Sequence, residues 1–263
     1  MANSKSGETV LQRVVRILEA FDHEHPARTA AEIARSTELS PSTAHRLATE
    51  MVEVGLLGRH ENGQFVIGRR AWELTARSSP LEELRTKSQP VMEAVHSTLQ
   101  EKIFLTVPDY EGGSVLYLER LDRYGDGEFV AQQAGRMRFY NTSPGLVLLA
   151  HTTPKIRDRI LQGPLLDEQT GVVTEEWWVR TKLAEIRSRG YIAMESALTP
   201  GNSAYAVPVF GPGNKILASL SVVARSGEVN EAVVISVLVT AGRSLSRELG
   251  AGQQSGRALP WLQ

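Results

Sequence analysis

Residues 29–55, TAAEIARSTELSPSTAHRLATEMVEVG, read as a helix, a tight turn and a second helix. Thr29 and Glu32 stand at capping-box spacing: the hydroxyl accepts the amide three residues on, while the carboxylate returns to the Thr amide. Ala30, Ile33 and Ala34 supply the inward face, and the turn runs through Ser36, Thr37, Glu38 and Leu39, with Leu39 as its apolar plug. Ser40 followed by Pro41 marks the second start, because Ser accepts an orphan amide and Pro suits the first helical position. In that helix Ala44, Leu47, Ala48, Met51 and Val54 keep helical spacing and leave Ser42, Thr43, His45, Arg46 and Thr49 off the apolar face. Hydroxyls, an imidazole and a guanidinium grouped at a helix N-terminus suit base edges and phosphates.

Upstream, Val10, Leu11, Val14, Ile17, Leu18 and Phe21 predict an amphipathic helix over 8–21, and 22–28 reads as a loop closed by Pro26. Downstream, Gly55 ends the second helix. Residues 56–59 and 65–67 read as strands around the turn 60–64, whose Asn62–Gly63 pair suits the positive backbone angles of a tight hairpin. Helix, helix, turn, helix and hairpin is the order of a winged helix-turn-helix. A short helix over 69–78 would bring Ala71, Trp72 and Leu74 to cover the small core.

Ser79, Pro80 and Glu82 then combine a cap, a first-turn Pro and a carboxylate, predicting a polar linker helix over 80–100 that Pro90 interrupts and kinks. Beyond Lys102 the apolar period becomes alternating. Strands are expected over 103–107 and 115–120 around the turn 111–113, then over 128–133, 191–195, 203–210 and 216–223. Helices are expected over 139–150, 155–161, from a Thr174 cap to Arg189 with Gly190 as stop, and over 230–249. Hairpin connections between most neighbouring strands argue for an α+β domain, an antiparallel sheet with helices packed on it. The domain reading is 8–79 winged helix-turn-helix, 80–100 linker helix, 101–250 sheet domain and 251–263 flexible tail.

Composition narrows the classes. With 41% hydrophobic and 22% charged residues the chain reads as globular. The absence of cysteine excludes disulfides, thiolate nucleophiles and Cys-ligated zinc. No apolar run approaches the roughly 20 residues of a membrane span, so a cytoplasmic location is expected. Over residues 1–79 basic and acidic side chains balance, ten of each. DNA affinity draws heavily on phosphate neutralisation, so a neutral reader depends on charge placement and on a second copy.

Six segments carry a family resemblance: AEIARSTELSPSTAHRL, GQFVIGRRAWEL, GSVLYLERLD, RMRFYNTSPG, IRSRGYIAMESALTPGNSAYAVPVF and ILASLSVVA, in that order along residues 9–249. Together they resemble the IclR family of bacterial transcriptional regulators. The resemblance implies a winged helix joined by a helix to a GAF-like effector domain, working as a homodimer or homotetramer on palindromic promoter DNA. It places Arg13, Ser40, Ser42, Thr43, His45 and Arg46 on the DNA face, with the wing at Asn62 along the backbone. It places a small organic effector among Asn141, Thr142, Ser143, Pro144, Gly145, Met194, Asn202, Ser203, Ala204 and Ser221. The chain departs from the pattern at Pro41, where many relatives are basic, at Met194, where many are acidic, and at Ala204, where many have Cys. A loop that commonly reads H-A-T-x-x-G-K reads YNTSPGL here. A site of hydroxyls and amides on an apolar wall suits an uncharged or aromatic ligand.

Competing readings are plainer. His23, Glu24 and His25 lack metal-ligand spacing and read as a solvated turn; His151 has no G-x-S-x-G elbow for a hydrolase triad; GPGN at 211–214 is a hairpin turn. Trp177 and Trp178 read as packing or a subunit contact, and Val233, Val234, Val237, Leu238 and Leu245 as core. No catalytic, metal or cofactor site is expected. The expectation is a ligand-responsive, DNA-binding regulator; the alternative is a sensor or enzyme domain without operator binding.

Overall fold

The computed structural model describes residues 7–22, 24–77, 79, 81–122, 134–166, 171, 173–196 and 199–253. The chain divides into two units, 1–79 and 80–263.

In the first unit, α1 (Val10–Glu19) starts at Thr9, which forms a capping box with Gln12 that the sequence reading overlooked. Strand β1 (Ala27–Arg28) leads to α2 (Ala30–Ser36), and Thr29 and Glu32 form their box as the spacing requires. Helix α3 (Pro41–Glu53) follows, capped by Ser40 on the Thr43 amide. Strands β2 (Leu57–Arg59) and β3 (Phe65–Ile67) form the wing, and α4 (Arg69–Ala76) closes the unit. Ile17, Ile33, Leu47, Met51, Leu57 and Phe65 make the core, each contributing on the order of 1.5–3 kcal/mol by burial.

Three readings of this unit need correction. Residues 27–28 are not loop: they pair with Val66 and Phe65, giving a three-stranded sheet ordered β1-β3-β2. The wing turn spans 60–64, but the Asn62–Gly63 pair does not take positive backbone angles at both residues. His60 donates to the Gln64 carbonyl and Gly63 to the His60 carbonyl, and only Gly63 takes a positive φ (83°), while the Asn62 carboxamide accepts the Gln64 amide. That is the longer loop in which one left-handed glycine ends the turn. Trp72 (71% exposed) and Leu74 (50%) do not cover this unit's core.

The second unit begins with α5 (Glu82–Leu99), β4 (Lys102–Asp109), β5 (Ser114–Leu121) and β6 (Arg136–Arg138). A 3-10 turn (Phe139–Asn141) leads into α6 (Ser143–His151) and α7 (Pro154–Ile160). The short pair β7 (Leu165–Leu166) and β8 (Val173–Thr174) precedes α8 (Glu176–Arg189), β9 (Ile192–Glu195), β10 (Asn202–Phe210), β11 (Ile216–Arg225) and α9 (Glu231–Glu248). The antiparallel sheet is ordered β6-β5-β4-β11-β10-β9. Because side chains alternate along strands, Phe104, Tyr117, Ala206 and Met194 meet α6 and α8 on one face, while Ile103, Leu105, Tyr205 and Leu220 meet α5 and α9 on the other. Helix α6 is buried from Ser143 to Ala150, so it reads as apolar all round.

Here too the structure revises the reading. No side chain caps α5: Leu81 is its cap residue, packed against the sheet core, so Ser79 is not the start; Pro80 lies outside the described residues. The helix continues through Pro90. Thr86, whose carbonyl loses its partner there, is exposed, so water can replace the bond. Nor is α5 a purely polar connector, since Leu84, Ser88, Met92 and Val95 pack it into the second unit. Thr174 does not cap α8; it pairs with Leu165, and the helix follows Glu175 without a side-chain cap. The strand expected over 128–133 lies outside the described residues, and β6, which the reading did not contain, borders β5.

Candidate functional site

The first candidate surface is the N-terminal end of α3. Ser40, Ser42, His45 and Arg46 are exposed and Thr43 half-buried, while Ala44, Leu47, Ala48 and Met51 hold the helix to the core. The Ser40 hydroxyl is committed to the cap and to the Thr43 and Ser42 hydroxyls, at 2.8 and 3.2 Å. Ser42, His45 and Arg46 are therefore the better placed for a ligand. Arg46 is not idle: its Nη1 meets Glu50 Oε1 at 2.6 Å one turn on, a spacing visible in the sequence but not read there. Arg13, on α1, is engaged locally. Its guanidinium lies against Glu8, donating to the Glu8 carbonyl, and its side chain is 16% exposed. On the wing, Asn62 is exposed and Arg59 lies over the Phe65 ring at 5.2 Å; Arg59 is a cation the motif reading passed over. In the turn before α3, Glu38 takes φ 52°, a left-handed conformation that favours glycine.

The second surface lies where α6 meets the sheet. The Thr142 hydroxyl accepts the Gly145 amide at 3.1 Å and caps α6, and Thr142, Ser143, Pro144 and Gly145 are all buried. A Cβ on Gly145 would stand 2.2 Å from the Phe139 carbonyl oxygen, so glycine is what lets the turn and helix meet. Register places Ala204 opposite Met194 and Val223, and Ser221 between Ala206 and Phe104, all on the α6 face. Asn202 shares that face, and its carboxamide donates to the Thr199 carbonyl. Ser203 does not join them: the alternation turns it to the α5 and α9 side, where its hydroxyl meets Ser226 at 2.9 Å. Residues 197 and 198 of the expected loop lie outside the described residues.

Two groups that the sequence reading missed belong to this face. Tyr117 is buried and hydrogen-bonded to Thr142, and burial pushes its hydroxyl pKa far up, so it stays protonated. Thr106 is fully buried opposite Ser219, and its hydroxyl has no partner among the described residues. Both were legible as alternate positions on strands but carried no motif. None of the effector residues named from the sequence is ionisable, and among the described residues no group of three His, Cys, Asp or Glu could hold a metal. His25 meets Asp22 through Nδ1, 3.1 Å away, as a turn contact, while His23 lies outside the described residues. Beside the 3-10 turn, Tyr140 donates to the Leu166 carbonyl at 2.7 Å and borders a cavity of about 570 Å³ with Tyr110, Arg138 and Arg159. Among the described residues no helix is long and apolar enough to cross a membrane.

Comparison with known proteins is consistent across the chain. Residues 10–61 match the model of the IclR helix-turn-helix domain, and residues 80–248 match that of the bacterial transcriptional regulator IclR C-terminal domain. The HTH-type transcriptional regulator BhcR of Paracoccus denitrificans is 24% identical over 264 residues, covering 97% of this chain and 92% of that protein. The regulator KdgR of Escherichia coli is 25% identical, over 90% and 91%. Among solved structures, an IclR homolog from Microbacterium hydrocarbonoxydans complexed with 4-hydroxybenzoate superposes with a TM-score of 0.81 at 34% identity, covering 92% of this chain and 99% of that one.

Proposed function

The chain belongs to the IclR family of bacterial transcriptional regulators, with a helix-turn-helix DNA-binding domain and an effector domain, and from this premise we propose that it is a ligand-responsive switch acting on a palindromic operator of a catabolic or metabolic operon. In this reading Ser42, His45 and Arg46 meet base edges, while Ser40, Thr43, Asn62 and Arg59 lie along the backbone. The effector is a small aromatic molecule bearing a hydroxyl, held between the α6 start and the strand positions Met194, Ala204 and Ser221. The observation that supports it best is the uncharged lining of that face: Tyr117, Thr106 and Ser221 supply hydroxyls, while Phe104 and Met194 supply apolar wall. A related protein binding 4-hydroxybenzoate points the same way.

Two copies are needed in this account. The balanced charge of residues 1–79 leaves one reading unit weak, and two units on half-sites about 34 Å apart, or a multiple, add both affinity and choice of site. The effector shifts the population of dimer or tetramer arrangements by its differential affinity for them. Gel-shift titration of the full chain on the DNA upstream of its own gene tests this. A shifted complex at low salt, altered by 4-hydroxybenzoate, is expected. No complex at low salt contradicts the DNA reading, and calorimetric binding to short aliphatic dicarboxylates alone contradicts the effector reading.

A further inference from the structure

Helices α6, α8 and α9 bring their C-terminal ends to a second cavity in this domain, of about 430 Å³. It is lined by His151 from the last turn of α6, Arg189 from the end of α8, and Arg243 and Arg247 from α9, against an apolar wall that includes Pro208 and Phe210. No acidic side chain lines it. Arg189, Arg243 and Arg247 are exposed, and none makes an ion pair or side-chain hydrogen bond among the described residues. His151 is half-buried with its ring edge-on to Phe210 at 5.1 Å, and its Nε2 is buried without a partner among the described residues.

Basic residues are common at helix C-termini, where they offset the negative end of the helix dipole. Arg187 does this, donating to the Ala150 carbonyl. The other three do not reach such acceptors. Three unneutralised guanidiniums around one concavity repel one another, and that cost is relieved by a ligand carrying more than one negative charge. Guanidinium forks match the oxygens of carboxylates and phosphates in pairs. The volume lies within the range of small-molecule sites, and exceeds what one inorganic phosphate would fill.

We propose that this cavity is a second ligand site, for a small metabolite bearing several anionic oxygens, either a phosphate ester or a polycarboxylate. It is separate from the α6 face described above, whose residues surround the opposite end of that helix, about 12 Å away at 1.5 Å per residue. Arg243 and Arg247, one turn apart on α9, grip the anionic groups. Phe210 and Pro208 contact the carbon skeleton, and His151 Nε2 takes a hydrogen bond from, or gives one to, the ligand.

Calorimetric titration of the full chain with pyrophosphate, citrate and inorganic phosphate, at ionic strength matched with sodium chloride, tests the proposal. Saturable binding of pyrophosphate or citrate at one per chain is expected, and the tighter of the two identifies the ligand class. Arg243→Gln and Arg247→Gln should each weaken it tenfold or more, whereas Arg46→Ala, on the other domain, should leave it unchanged. Because Arg189 is an exposed helix-end residue, Arg189→Gln provides a variant with an undisturbed fold, checked by circular dichroism. Heats that never saturate and follow ionic strength alone, or an affinity unchanged in all three variants, would overturn the proposal.

Discussion

Replacing Arg46 with alanine should cost operator affinity about two- to sixtyfold, and the structure sets that range through Glu50. The pair is close, 2.6 Å, but its side chains are 58% and 51% exposed, and an exposed i,i+4 pair contributes only about 0.3–0.5 kcal/mol. A bidentate contact from Arg to a guanine contributes about 1–3 kcal/mol. Arg46 therefore leaves Glu50 for a base edge with a net gain of roughly 0.5–2.5 kcal/mol, and at 1.4 kcal/mol per tenfold the loss on truncation follows. Glu50→Gln should tighten binding about twofold, because the competing partner is gone. The double variant should bind no better than Arg46→Ala, since Glu50 acts through Arg46. Fluorescence anisotropy of the full chain on labelled operator and scrambled duplexes at fixed ionic strength measures all three, with melting curves expected to agree within about 0.5 kcal/mol. An Arg46→Ala protein that binds both duplexes within twofold of the parent would refute the reasoning, as would an equal loss on both, because a base contact must discriminate.

Other positions give sharper structural tests. Gly145→Ala should destabilise the effector domain by about 3 kcal/mol and abolish effector binding, since its Cβ meets backbone at 2.2 Å; urea denaturation followed by ligand calorimetry shows both effects. Glu38→Gly should stabilise the DNA-binding domain by about 0.5–1 kcal/mol, because the left-handed conformation costs a residue with a Cβ about 1–2 kcal/mol, while glycine loses more entropy on folding; the unfolding midpoint of that domain reports it. Burial, with a smaller contribution from Arg187, lowers the His151 pKa below its ordinary 6.5. Between those values the unfolded chain binds a proton that the folded chain does not, so this contribution is complete above pH 6.5 and is lost as pH falls through the folded pKa. Denaturation at pH 7.5 and 5.5 should show a smaller pH difference for His151→Asn than for the parent.

Much of this was legible in the sequence because it is local. The Thr29–Glu32 box and the Ser40–Pro41 start each depend on four adjacent residues, and both form. What escaped depends on distant partners. Residues 27–28 become a strand only by pairing with Phe65 and Val66, and Arg136–Arg138 only by pairing with Ser114–Leu116. The same competition misled the cap assignments: Thr174 is held by Leu165 across a strand pair, and the start of α5 is set by Leu81 packing on the sheet. Within the candidate sites, the period-two rule already separates Ser203 from Ala204. No local pattern reveals that Arg13 folds onto Glu8, or that Tyr117 and Thr106 share the α6 face with Ser221.

The central claim is that one chain couples an operator to a small aromatic effector. Footprinting of the DNA upstream of its own gene with the full-length protein tests this most directly. The account predicts protection of two symmetric half-sites about one helical turn or a multiple apart, changed in extent by 4-hydroxybenzoate and moved to higher protein concentration in Arg46→Ala. Protection without symmetry, or none at low salt with or without ligand, would contradict it.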